Sequence, residues 1–162
     1  MTTVSTWTSG DVATNGIRMH YYRTGGGKPP LVLAHGATDD GLCWTRVARA
    51  LESDYDVIMP DARGHGLSDA PANGYSSQDH AADLAGLIGA LELKTPAIGG
   101  HSMGAAATLR LVADYPDLVR GAFLEDPPVW IGERPTTPGT NNHETPSAAS
   151  SPRVGPPAAR PP

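Results

Sequence analysis

The chain has 162 residues, 17 acidic and 12 basic side chains, and a formal net charge of −5; apolar residues make up 39% of it and charged residues 18%, beside 19 glycines and 16 prolines. An acidic chain with no block of Lys or Arg is poorly suited to nucleic acid or an anionic membrane, and a lone cysteine, Cys43, cannot close an internal disulfide. No apolar run approaches the roughly 18 residues that cross a bilayer, and the N-terminus MTTVSTWTSGD has neither the basic start nor the apolar stretch of a signal peptide, so a cytoplasmic location is expected.

In chain order, a first strand is expected within residues 4–14. Ile17, Met19 and Tyr21 then alternate with Arg18, His20 and Tyr22, the pattern of a strand with one wet face. Leu31 to Ala34 is a continuous apolar run between Pro29-Pro30 and Gly36. Trp44, Val47, Ala48 and Leu51 recur at helical spacing, so Trp44 should anchor an amphipathic helix. Val57 to Met59 is a second apolar run, ended by Pro60. Leu84, Leu87, Ile88 and Leu91 give a second helical stripe. Ala97 to Gly99 follows Pro96, Ala105, Leu109 and Val112 form a third stripe, and Ala122 to Leu124 is a last apolar run. The four short runs read as buried strands covered on both faces. Strands alternating with helices predict an α/β fold, a mostly parallel sheet with flanking helices.

Half of the prolines lie after Ile131. That stretch has one aliphatic side chain larger than alanine, Val154, and no aromatic. It cannot bury enough apolar surface to offset the entropy of ordering it. The expected division is a core over 1–131 and a Pro-rich disordered tail over 132–162.

In such sheets the chemistry sits on loops at the carboxyl ends of the strands. Gly100-His101-Ser102-Met103-Gly104 follows the Ala97 strand and opens the third helix. This is G-x-S-x-G in its required strand–turn–helix setting. The turn is so tight that side chains at Gly100 and Gly104 would strike backbone, and it exposes the oxygen of Ser102 at the head of a helix, where the field favours developing negative charge. Two more loops occupy the same edge, His35-Gly36-Ala37-Thr38-Asp39-Asp40-Gly41 and Asp61-Ala62-Arg63-Gly64-His65-Gly66-Leu67-Ser68-Asp69. The second reads as structural, braced by Arg63 with Asp61 or Asp69. Cys43 opens a helix, where a thiolate could be favoured; without a base or second cysteine nearby it reads as packing. Trp7 and Trp130 fit either the core or a substrate cleft.

HGATDDG, DARGHGLSD and GHSMG, in this order and spacing, resemble the α/β-hydrolase fold, most of all its small bacterial serine esterases, C–C bond hydrolases and perhydrolases. The resemblance covers about residues 7–130. It implies an eight-stranded, mostly parallel sheet, a Ser–acid–His triad, a small acyl substrate, and neither metal nor organic cofactor. It implies Ser102 as nucleophile and the N–H groups of Ala37 and Met103 as the oxyanion hole. Some members keep their acid after the sixth strand. That points to Asp126, with Glu125 beside it as the alternative, and a solvated carboxylate is an equal reading of Asp126.

The family's histidine follows its last strand. Here only His143 lies after Asp126, in GTNNHETP, with no strand to hold it. It is a weak candidate base, because catalysis needs close positioning. His35, His65 and His101 belong to motif turns and read as braces, and His20 and His80 read as surface residues. The resemblance therefore implies a chain ending after about the sixth strand, without lid, final strands or last helix. The tail's Pro, Ala, Arg, Ser and Gly bias resembles a GC-rich sequence read in a wrong frame, which is one expectation beside a natural end. Two functions stay open: a serine hydrolase of an ester or related acyl bond, and a catalytically silent fragment that self-associates through its open sheet edge.

Overall fold

A computed structural model of the protein describes residues 7–128. By its contacts the chain divides into Met1–Val129 and Trp130–Pro162, and all the described residues belong to the first unit. The expected tail, His143 and Trp130 lie outside the described residues.

The elements are β1 (Thr8–Thr14), β2 (Ile17–Arg23), β3 (Pro30–Ala34), a 3₁₀ turn (Gly41–Trp44), α1 (Thr45–Leu51), β4 (Asp56–Pro60), α2 (Ser77–Ala90), β5 (Ala97–His101), α3 (Met103–Asp114) and β6 (Gly121–Glu125). They form one six-stranded sheet in the order β1-β2-β4-β3-β5-β6. β1 pairs antiparallel with β2, and β2 with β4; the β3–β4, β3–β5 and β5–β6 ladders are parallel. Asn15 and Gly16 make the β1–β2 turn with φ of 41° and 79°, the left-handed pair that a two-residue hairpin loop needs.

Alternation along the central strands sends side chains to opposite faces. Val32, Ile58 and Ile98 join Ile17, Met19 and the α2 and α3 residues Leu84, Leu87, Ile88, Ala107 and Leu111 in one core. Leu31, Leu33, Val57 and Met59 face the other way and pack on Trp44 and Ala48. Trp7 packs against this second core and donates its indole N–H to Glu52. Each fully buried aliphatic side chain stabilises the fold by about 1.5–3 kcal/mol, so these two layers hold the sheet in its helical sandwich. α2 starts at a capping box in which Ser76 and Asp79 satisfy each other's backbone N–H groups. Among the described residues no helix is long and apolar enough to cross a membrane.

Several expectations need correction. β6 is exposed at all five residues because it is the last strand in the sheet order and no described strand covers its outer edge. The α3 stripe is offset: Gly104, Ala105, Ala107, Thr108 and Leu111 are buried, whereas Leu109 is 52% exposed, because α3 packs against α2 and the sheet through Ala107 and Leu111. Val47 also faces outward; α1 is only seven residues long and meets the core through Ala48. His20 and His80 are buried. The first is paired at Nδ1 with Asp11 at 2.8 Å; the second sits on the inner side of α2, where burial lowers its pKa.

The charge that locks this half of the molecule is Arg63. It bonds neither Asp61 nor Asp69. Its Nε and Nη2 donate to the two carboxylate oxygens of Asp83 on α2, at 2.6 and 2.5 Å, and Nη1 donates to Gly74 O at 2.6 Å. Asn15 Nδ2 adds a third bond to Asp83, at 3.0 Å. A buried bidentate pair with its remaining valences filled can offset the cost of desolvating both ions. Asp69 is instead turned toward Arg18.

Candidate functional site

The C-terminal ends of β3, β4 and β5 carry the three motif loops side by side, and Ser102 stands between β5 and α3 with φ 49° and ψ −111°. A non-glycine residue with positive φ outside a glycine turn is strained by about 1–3 kcal/mol and persists only where its surroundings over-determine it. Here they do. Ser102 N–H donates to Glu125 O at 2.9 Å, and Ser102 O accepts from Ala106 N at 3.0 Å. The flanking glycines leave no alternative: a Cβ on Gly100 would fall inside the Gly104 carbonyl, and one on Gly104 would fall inside the carbonyls of Ala34 and His35. The sequence thus makes a turn that presses the elbow against the end of β3 and leaves the Ser102 side chain half-buried at its apex.

The β3 loop lies directly against this elbow. Gly36 sits so close to the His101 ring that a Cβ there would come within 2.8 Å of Nδ1. Ala37 follows and is exposed. Among the described residues no acceptor takes the N–H of Ala37 or of Met103, the first residue of α3. Two unengaged donors beside a serine at a helix N-terminus can hold an oxygen that gains negative charge.

The other loop residues brace this arrangement. His35 is buried; its Nδ1 bonds Gly36 O at 2.7 Å and its Nε2 accepts from Ala62 N at 2.9 Å. Burial pushes its pKa down, partly offset by the bond to Gly36 O. His65 bridges Arg63 O at 2.9 Å and Ala37 O at 3.0 Å and packs edge-on against His35. Asp61 accepts from Gly41 N and from Leu67 N, each at 2.8 Å. Arg63, His65 and Asp61 therefore tie the Ala37 loop to α2 and β4. Asp83 is the partner that reasoning from sequence missed; Asp61, expected to pair with Arg63, accepts from backbone N–H groups instead. The available signal was Asp83 itself, a carboxylate one position before Leu84 on a buried stripe.

Among the described residues no carboxylate or histidine is hydrogen-bonded to the Ser102 side chain. Asp126 is exposed, with φ 46°, and makes no side-chain hydrogen bond among the described residues. Glu125 instead points into an open groove that it lines with His101, Cys43 and α1 residues. No described histidine is hydrogen-bonded to the Ser102 hydroxyl, and His143 lies outside the described residues. Cys43 is exposed rather than packed, and its thiol is pushed up to about 11 by partial desolvation first and then by the charges of Asp39, Asp40 and Glu125. No group of three or more His, Cys, Asp or Glu among the described residues is placed to hold a metal.

A mixed sheet of this order, helices on both faces and a serine on a strained strand-to-helix turn define an α/β-hydrolase fold. The chain belongs to that family, matching the alpha/beta hydrolase fold over residues 29–157. It is 39% identical over 121 residues to N-formylmaleamate deformylase of Pseudomonas putida, covering 74% of this chain and 45% of that protein. It is 38% identical over 104 residues to 2-(acetamidomethylene)succinate hydrolase of Mesorhizobium japonicum, covering 64% and 37%. Epoxide hydrolase A from Mycobacterium thermoresistibile superposes with a TM-score of 0.70 at 34% identity, covering 74% of this chain and 39% of that one. The chain thus spans less than half the length of these relatives.

Proposed function

We propose that the site is that of a serine hydrolase acting on an ester or related acyl bond of a small molecule. The observation that carries this reading is the strained backbone of Ser102, held at φ 49° at the head of α3 beside the unengaged N–H groups of Ala37 and Met103. In this reading the Ser102 oxygen attacks the acyl carbon as its proton passes to a base. The carbonyl oxygen becomes an oxyanion held by the two N–H groups. The tetrahedral adduct collapses, the leaving group departs with the proton, and water releases the acyl group by the same steps. Asp126 and His143 are the candidate acid and base. The deformylase and acetamidomethylene hydrolase names of two relatives extend the candidate substrates to acyl–nitrogen bonds.

A second reading has its own observation. No described histidine bonds the Ser102 hydroxyl, and loss of the base costs a serine triad about a millionfold in turnover. On that reading the chain alone is catalytically silent. Hydrolysis of p-nitrophenyl acetate, with Ser102→Ala in parallel, separates the two. Ser102-dependent turnover well above buffer supports the hydrolase, and equal rates for the two proteins support the silent chain. Mass-spectrometric labelling by a fluorophosphonate adds a readout at the nucleophile itself, and modification of a residue other than Ser102 overturns its assignment.

A further inference from the structure

We propose that His65 is a positioning residue of the loop after β3, and that it works as an imidazolium, donating one ring N–H to Arg63 O and the other to Ala37 O. It rests on the reading of Ala37 as an oxyanion donor for what the loop does; the charge on the ring follows from its bonds alone.

His65 Nδ1 lies 2.9 Å from Arg63 O, and Nε2 lies 3.0 Å from Ala37 O. Both partners are carbonyl oxygens, which only accept. A neutral imidazole has one N–H and one bare lone pair, so it serves one carbonyl and sets its lone pair against the other. Only the doubly protonated ring donates to both. Turning the ring over would set Cδ2 and Cε1 against the carbonyls and leave both unpaired. His35, edge-on to His65 at 5.1 Å, has the opposite arrangement. Its Nδ1 donates to Gly36 O and its Nε2 accepts from Ala62 N, so this ring is neutral. Burial lowers the His35 pKa, and a charge on His65 lowers it further. The pair therefore holds one cation, not two.

Together the two rings hold both peptide planes of Ala37. The peptide is trans, which sets the Ala37 N–H opposite the Gly36 carbonyl, so the His35 bond to Gly36 O aims that N–H. The His65 bond to Ala37 O holds the plane that follows. Hydrogen bonds from a charged donor are roughly twice as strong as neutral ones.

The charges packed around the pair have partners of their own. Arg63 is matched by Asp83, and Asp79 belongs to the cap of α2. Asp61 accepts from Gly41 and Leu67, and Asp40 on the β3 loop accepts from Leu42 N. His80 on α2 is held below the usual histidine range by burial, and a charge on His65 acts in the same direction. All the ties on Ala37 and its neighbours exist together only where His35 is neutral and His65 is charged. As pH falls, a proton on His35 Nε2 displaces the Ala62 N–H. As pH rises, loss of a His65 proton leaves one carbonyl facing a lone pair. The Ala37 backbone is thus set over a window of pH and loosens on either side.

The test is NMR of the full 162-residue chain, labelled with nitrogen-15 and carbon-13, over about pH 5 to 9. Ring nitrogen resonances separate a protonated nitrogen from a bare one. His65 is expected to carry two ring protons at pH values where His35 carries one, and the Ala37 carbonyl resonance should shift with the same midpoint as the His65 nitrogens. His65→Gln keeps an amide donor without a titrating proton, and should abolish that shift at Ala37 while the His35 titration remains. A bare His65 nitrogen wherever His35 is neutral, an Ala37 carbonyl that ignores the His65 titration, or an Ala37 shift that survives in His65→Gln would each overturn the proposal. The wild-type spectra decide it even where the variant fails to fold. Absence of Ser102-dependent ester turnover would overturn the hydrolase reading and leave these spectra unchanged.

Discussion

Asp83→Asn removes the one carboxylate that hydrogen-bonds the Arg63 guanidinium among the described residues. Asp83 is 0% and Arg63 4% exposed. The carboxylate accepts from Arg63 Nε and Nη2 and from Asn15 Nδ2. Asparagine keeps the volume but offers one acceptor oxygen, and turns its amide donor toward a guanidinium that can only donate. Breaking a buried pair by altering one partner leaves an uncompensated charge and costs about 3–5 kcal/mol. Domains of this size are stable by about 5–15 kcal/mol, so the loss is a large share of the total. With a urea m-value of about 1–3 kcal/mol/M, the unfolding midpoint should fall by roughly 1–5 M. The paired change Arg63→Met with Asp83→Leu removes both charges and should recover most of that loss, since apolar replacements of buried pairs are often neutral. A single variant that costs less than about 1 kcal/mol, the worth of an exposed pair, would show that the pair is solvated and refute this account of how α2 is tied to the β4 loop.

Replacing Ser102 by glycine relieves the positive φ and should raise stability by about 1 kcal/mol in urea unfolding, the strain released less the entropy cost of glycine, while ending fluorophosphonate labelling; a destabilised variant would mean the turn is unstrained. Burial lowers the pKa values of His35 and His80 below the ordinary 6.5, so between those folded values and 6.5 the unfolded chain binds more protons than the folded one. Their share of the stability should then be flat above that range and fall as pH drops below about 6.5, and the fall should shrink in His35→Gln; an unchanged pH profile in that variant would remove His35 as a cause. Cys43, at about 11 against an ordinary 9.0, should react with iodoacetamide at neutral pH about a hundredfold more slowly than a free thiol; alkylation at the rate of an unstructured peptide would contradict the influence of its desolvation and of Asp39, Asp40 and Glu125.

The strands and the elbow were legible because their signals are local. Leu31–Ala34, Val57–Met59 and Ala97–Gly99 are apolar runs bounded by proline or glycine, and each is a strand of the sheet. GHSMG carries its own steric requirement, and Gly100 and Gly104 meet neighbouring backbone. Features that depend on what lies across the sheet were not legible. Arg63 had two carboxylates nearby in sequence and bonded a third, Asp83, twenty residues on. His20 and His80 carry polar rings at positions whose neighbours, Asp11 and the cavity walls of Met19 and Leu84, decide their burial. β6 has the composition of a covered strand, but exposure depends on which strands flank it, and that information is absent from five residues.

Asp61, His35 and His65 also bear on the order in which the molecule opens. Asp61 holds Gly41 and Leu67, His35 holds Ala62, and His65 holds Ala37. Each tie runs from the loop after β3 to the loop after β4, or closes the latter on itself. Neither loop can leave its place without breaking bonds to the other. The two should open as one cooperative unit. Amide hydrogens of Gly41, Ala62 and Leu67 would then exchange with solvent through a shared opening event, although they lie in separate parts of the sequence, and a ligand that ordered either loop would slow exchange in both.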